Sequence, residues 1–187
     1  FGFKGDLSPY STVMPGMIDA HVHINTGGIS EASRTLIALA NAQIDLAAGF
    51  TTVLDMDSRG GYNTVDIRDE INAGRVQGPR MQVVGESLNV RATNYYPDIR
   101  SGRFQEGFIE DKNVTGTVLA RAAVREAKLH GVDWVKIYTT QDFEGTLHMW
   151  RPDATLVNSP SLSFEEVQAI VDEAHRLGVK VACHAYG

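Results

Sequence analysis

Cysteine is almost missing from this sequence: Cys183 stands alone among 187 residues. An internal disulfide framework is therefore excluded, and cysteine usage says little about compartment. Runs rich in Lys or Arg are also lacking. With 17 Lys+Arg against 23 Asp+Glu the net charge is −6, which argues against nucleic acid or an anionic membrane surface as partner. No stretch approaches the roughly 20 apolar residues of a membrane span. Low-complexity tracts, interdomain linkers and a visible signal peptide are absent as well. What remains is ordinary globular composition, 43% hydrophobic and 21% charged, with enough length for one sizeable core.

Hydrophobic period and chain breakers predict strands over 17–24, 51–56, 81–88, 134–138 and 179–185. They predict helices over 30–48, 64–76, 115–130 and 163–177. Ser163 with Glu166 three residues on forms a capping box for the last helix, and Gly178 stops it. Gly49 and Gly131 stop two others just before the next strand. Such strand–helix repetition implies a parallel sheet, either open and doubly wound or closed as a barrel. The two long connections, 89–114 and 139–162, both follow strands. Elaboration is thus expected at the C-terminal strand ends, the catalytic face of either architecture.

Three strands carry residues with chemistry. The first reads Met17-Ile18-Asp19-Ala20-His21-Val22-His23-Ile24. Alternation puts Asp19, His21 and His23 on one face, with the two imidazoles about 7 Å apart at the backbone, close enough to converge on one metal ion. A polar sheet face with two satisfied histidines is the plainer alternative. In the fourth strand Trp134, Lys136 and Tyr138 share a face, opposite Val135 and Ile137. A lysine among apolar neighbours must be paired, deprotonated or modified, or else reach water from the strand end. Modification by carbon dioxide would turn it into an anionic oxygen ligand. In the fifth strand Ala182, His184 and Tyr186 share a face, and Cys183 points the other way as a small core residue. Tyr186, at the rim, could donate its hydroxyl to a substrate carbonyl or carboxylate.

Taken together, Pro15-Gly16-Met17-Ile18-Asp19-Ala20-His21-Val22-His23, Gly49-Phe50-Thr51-Thr52-Val53, Val135-Lys136-Ile137 and His184-Ala185-Tyr186 resemble the amidohydrolase superfamily. Their order and spacing, with Gly78-Pro79-Arg80 before the third strand, are most similar to its imidazolonepropionase-like and Xaa-Pro dipeptidase (prolidase-type) branch. The resemblance runs from Val13 to Tyr186. It implies a (β/α)₈ TIM-like barrel of which strands one to five are present. It also implies one or two zinc ions at the C-terminal mouth: His21 and His23 on the more buried metal, a carboxylated Lys136 bridging both, and His184 on the second. Other divalent ions would suit such a site too. Asp19 matches the motif and is expected to support the ligands rather than bind. The family's sixth-strand His and eighth-strand Asp have no counterpart in this chain. The implied chemistry is attack of a metal-bridging hydroxide on an amide or peptide-like carbonyl, with Tyr186 helping to hold substrate.

The long connections add aromatic and basic residues, among them Tyr95, Arg91 and Arg100 in the first and Trp150 and Arg151 in the second. Aromatic walls with an arginine suit a small substrate bearing a carboxylate, such as a dipeptide, and Tyr95 and Arg151 are the candidates to bind it. His148 reads as a solvated loop residue, and His130 and His175 as helix-surface residues. Asn113-Val114-Thr115 reads as a helix cap rather than a glycosylation site. The alternatives are a deaminase or a ring-opening cyclic amidohydrolase on the same fold, and a non-catalytic α/β binding module. Five strands against the roughly 250 residues of a whole barrel lead to the expectation that the chain is the N-terminal portion of a catalytic barrel. Strands six to eight, and a small β domain, would then come from the rest of a longer polypeptide or from another chain, and a homo-oligomer is expected.

Overall fold

A computed structural model describes residues 14–25, 30–58, 61–89, 112–140, 153–155 and 160–185. Its elements run β1 (Met17–Val22), α1 (Glu31–Ala47), β2 (Phe50–Asp55), α2 (Asn63–Asn72), β3 (Arg80–Val83), β4 (Leu88–Asn89), β5 (Lys112–Asn113), α3 (Thr117–Leu129), β6 (Trp134–Tyr138), α4 (Phe164–Arg176) and β7 (Lys180–His184). Every strand pair is parallel, in the orders β1-β2-β3 and β5-β4-β6-β7. The two groups belong to one arc. Asp133 N–H donates to the Val83 carbonyl at 2.9 Å, the Asp133 carboxylate accepts from Val83 N–H at 2.9 Å, and Leu88 then pairs with Ile137.

The third predicted strand, 81–88, is thus broken in two. Gly85 sits at the break with φ +65°, and a Cβ there would lie 2.5 Å from the Tyr62 ring, so only glycine fits this turn. Apart from the short β5, principal strands neighbour one another in the order in which they occur in the chain. A doubly wound sheet reverses that order at its switch point, whereas a barrel does not. The architecture is therefore α/β, an arc of the (β/α)₈ barrel.

Helices cover one face of the arc, and alanine is frequent at the buried positions of α1, α3 and α4. Ala38 and Ala42 of α1, Ala120, Ala123 and Ala127 of α3, and Ala169 and Ala174 of α4 pack against Val53, Val83, Val135 and Ile137 of the sheet. Small side chains let each helix axis approach the strands closely, and larger residues such as Val124 and Ile170 fill between them. The helices stop at Gly49, Gly131 and Gly178, all at positive φ, as their places in the sequence predict. No helix among the described residues is long and apolar enough to cross a membrane.

Three local expectations need correction. Helix 64–76 ends early, at Asn72, because Gly74 (φ +71°) leaves the helical region. The capping box of α4 forms as read, with Ser163 and Glu166 each bonding the other's backbone. For α3, however, the N-cap is Gly116 with no side-chain cap, not the 113–115 triplet. Its amide donates at 2.6 Å to Glu166 of the neighbouring helix, so tertiary packing supplies what a local cap would have. Lastly, Cys183 is exposed rather than part of the core. It lies on β7, an edge strand among the described residues, with its sulfur 3.1 Å from the Thr139 hydroxyl.

Candidate active site

The C-terminal ends of β1, β2, β6 and β7, with Ser87 just before β4, bring polar side chains to one end of the arc. At β1 the strand stops at Val22, two residues short of the predicted end, and His23 lies just beyond it. Even so, His21 and His23 converge, with their Nε2 atoms 3.2 Å apart and ring centroids 5.1 Å apart. The Asp19 carboxylate accepts the His21 backbone N–H at 3.0 Å, which fixes the turn of the chain that aims this ring. Burial lowers the His21 pKa, and the Lys136 charge lowers it further against the opposing pull of Asp19. An imidazole held neutral keeps a lone pair, and two facing ring nitrogens cannot both carry protons in the gap.

Lys136, in the middle of β6, is only 2% exposed. It pairs in register with Ala182, while Tyr138 pairs with His184. Burial pushes the lysine pKa down, offset in part by the charges of Asp57 and Cys183. Its Nζ lies 5.5 Å from the centre of the Tyr138 ring, so Lys136 and Tyr138 share a face as the alternation implies. The Tyr138 and His184 ring centroids are 4.8 Å apart.

Two acids that sequence reasoning did not single out complete the polar layer. Asp55, at the end of β2, is fully buried and accepts the Ile24 N–H at 3.2 Å, which ties the β1 end to β2. Burial raises its pKa to about 8, against the Ile24 hydrogen bond and the nearby Thr64 hydroxyl and with a further push from Asp57. Asp57 is 3% exposed, accepts from the Ser87 hydroxyl at 2.9 Å and from the Tyr138 phenol at 3.3 Å. Beside them Asn63 accepts from Ser58 at 2.6 Å and from Asn25 at 3.3 Å. A signal for both acids was present in the sequence: Leu54-Asp55-Met56-Asp57-Ser58 places two carboxylates at the end of an apolar strand.

Against the expected ligand set, the structure joins His21 to His23 directly and places Lys136 near enough for its charge to act on His21. His184 is gathered by Tyr138. Among the described residues no three His, Cys, Asp or Glu side chains come together as a complete metal cage. The donors present, paired imidazoles with a buried lysine nearby, fit part of a divalent-metal site. Tyr186, Arg151 and Tyr95 lie outside the described residues, as do His148 and most of the two long connections.

The family model for the amidohydrolase family matches residues 12–187. The chain belongs to the amidohydrolase family. Solved structures agree. A Xaa-Pro dipeptidase with methionine bound in its active site is 29% identical with a TM-score of 0.71, covering 92% of this chain and 43% of its own. A putative prolidase from Bifidobacterium longum is 28% identical with a TM-score of 0.67, over 92% of this chain and 35% of its own. A prolidase complexed with N-methylphosphonate-L-proline is 26% identical with a TM-score of 0.68, over 92% and 43%. The chain therefore spans less than half the length of these amidohydrolase-like structures. No curated protein sequence matches it.

Proposed function

We propose that this chain is the N-terminal portion of the catalytic barrel of a metal-dependent hydrolase. It would cleave an amide or peptide-like C–N bond in a small substrate bearing a carboxylate. The observation that carries this reading is the His21–His23 pair, two imidazole nitrogens 3.2 Å apart at a strand end and within reach of the charge of a buried lysine. The names of the similar proteins, a Xaa-Pro dipeptidase and prolidases, support the dipeptide-like substrate. Remaining strands and ligands of the barrel would be supplied beyond these residues.

In this reading His21 and His23 would hold one divalent cation, zinc in the first instance, His184 would hold a second, and Lys136 would serve both. A bound pair of such ions would supply Lewis acidity and a water of lowered pKa. The protein's own part is preparation. Burial keeps His21 neutral and able to donate its lone pair. Asp19 holds the His21 backbone, and Asp55 holds the backbone just after His23. Burial of Lys136 favours the neutral amine, the form that reacts with carbon dioxide to give a carbamate. Asp57, being negative, opposes a second anion there, so the carbamate is stable only with cations alongside. Tyr186 at the rim, with Arg151 and Tyr95 from the connections, would hold the substrate and its carboxylate.

The test uses the full-length protein. Purified enzyme should hold close to two divalent ions per chain and hydrolyse Xaa-Pro dipeptides or N-acyl amino acids. His21→Ala should keep the fold, shown by an unchanged circular dichroism spectrum, but lose metal and activity. Unchanged hydrolysis in that variant would overturn the reading, and one ion per chain would return the choice to the mononuclear deaminases of the same fold.

A further inference from the structure

Next to the ligand candidates of β6 and β7 lies a hydrogen-bonded relay that no motif announces. The Ser87 hydroxyl donates to one oxygen of Asp57 at 2.9 Å, and the Tyr138 phenol donates to the other at 3.3 Å. Ser87 is fully buried and Asp57 nearly so. The Tyr138 ring, held at its hydroxyl end, has the Lys136 amine 5.5 Å from its centre and the His184 ring at 4.8 Å with a 37° tilt. Its position therefore limits where both neighbouring side chains can sit. The relay joins residues after β2, before β4 and at the end of β6.

We propose that Asp57 is a positioning residue: together with Ser87 it fixes the Tyr138 phenol, and through that ring it orients His184 and Lys136. The proposal rests on reading His184 and Lys136 as ligands, and it goes further by assigning the part that orients them. Several neighbouring strands must be in register before the relay exists, so the orientation is set by the folded arc rather than by local sequence. A carboxylate suits this task because it accepts two hydroxyls at once in fixed geometry.

The experiment takes the full-length protein and the variants Asp57→Leu, Asp57→Asn, Tyr138→Phe and the double variant Asp57→Leu/Tyr138→Phe. Two readouts are needed. The first is the NMR signal of the His184 ring protons in metal-free protein, assigned by its loss in His184→Gln. The second is zinc affinity, measured against a chromogenic chelator. Asp57→Leu and Tyr138→Phe should each shift the His184 signals and weaken zinc by about tenfold, the lower end for groups that orient metal ligands. The double variant should bind zinc no worse than either single one, since both remove the same link. Asp57→Asn, whose amide oxygen still accepts the phenol, should recover most of the affinity. Unmoved His184 signals in both single variants, or zinc losses that multiply in the double variant, would overturn the proposal. If the unaltered protein binds no zinc, the metal reading fails instead, while the His184 signals still decide for or against the relay.

Discussion

Glu173 and Asp55 are both buried carboxylates, one in the helical layer and one at the mouth of the sheet, and their surroundings push them in opposite directions. Glu173 on α4 accepts from Arg125 at 2.6 Å and Arg121 at 3.4 Å on α3, and from Arg176 one turn along its own helix. Hydrogen bonds from Arg176 and Arg125 hold its pKa at about 2. Asp55 has a backbone amide and a nearby hydroxyl but, among the described residues, no paired cation, and burial lifts its pKa to about 8. Lys136 mirrors it, a buried amine pushed downward. Where burial is matched by opposite charge, the group cements two helices. Where it is not, the group is driven toward its neutral form, and such under-compensated groups gather where chemistry is done. Here they cluster at the C-terminal strand ends, beside the histidine pair.

The contrast is open to attack from both sides, most strongly at Lys136. In the full-length enzyme Lys136→Met should cut kcat/KM by at least about 10²-fold, the scale of losing one group that acts at the reacting centre. The metal-free variant should melt no lower than the unaltered protein, since burying an amine costs free energy that a thioether does not. Retained activity with a lowered melting temperature would place Lys136 with Glu173 instead.

Glu173→Gln should do the reverse. Three arginines would be left facing one another without their shared anion, so the urea midpoint should fall clearly while kcat/KM stays near its original value. A loss of turnover without loss of stability would break the comparison.

Smaller effects follow from pH. Because the folded-state pKa of Asp55 is raised to about 8, the folded protein binds a proton that the unfolded chain releases near pH 4. Its contribution to stability is therefore lost as pH rises from about 4 to about 8 and is flat beyond. For Glu173 the pKa is depressed, so its contribution is present above the ordinary carboxylate range and is lost as pH falls toward about 2. Denaturation midpoints of metal-free protein across pH 4–8 should show the first trend, and Asp55→Asn should flatten it. A midpoint that rises with pH over that window would contradict the assignment for Asp55. The smallest change belongs to Ser163→Ala, which removes the α4 cap and should cost about 1 kcal/mol in urea unfolding without altering turnover.

Much of the fold was legible because it is written in local pattern. The strand 134–138 and the helix starting at Ser163 appear where period and capping place them, and three helices end at the glycines expected to end them. The His-X-His alternation likewise carried the pairing of His21 with His23. Illegible were features made by contacts distant in sequence. The break at Gly85 follows from the Tyr62 ring packed against it. The start of α3 is satisfied by Glu166, 50 residues away. Asp57 meets Tyr138 across 81 residues, and nothing in either local run names the other.

The sequence by itself determined the class of fold, its helix boundaries to within a few residues, and one imidazole pair, because backbone dihedrals and the two-residue strand period act locally. Tertiary structure alone decided which charges would be buried and which of those would be answered. Asp55, Asp57 and Glu173 are charged letters in the chain, alike until strand register and helix packing choose their neighbours; of these groups only Lys136 was marked beforehand, by the apolar residues around it in its strand. Register set Tyr138 beside His184, and the packing of α3 on α4 set arginines around Glu173. Electrostatic energy falls off with distance and depends on what fills the space between, so the same residues acquire opposite roles only once the chain has folded.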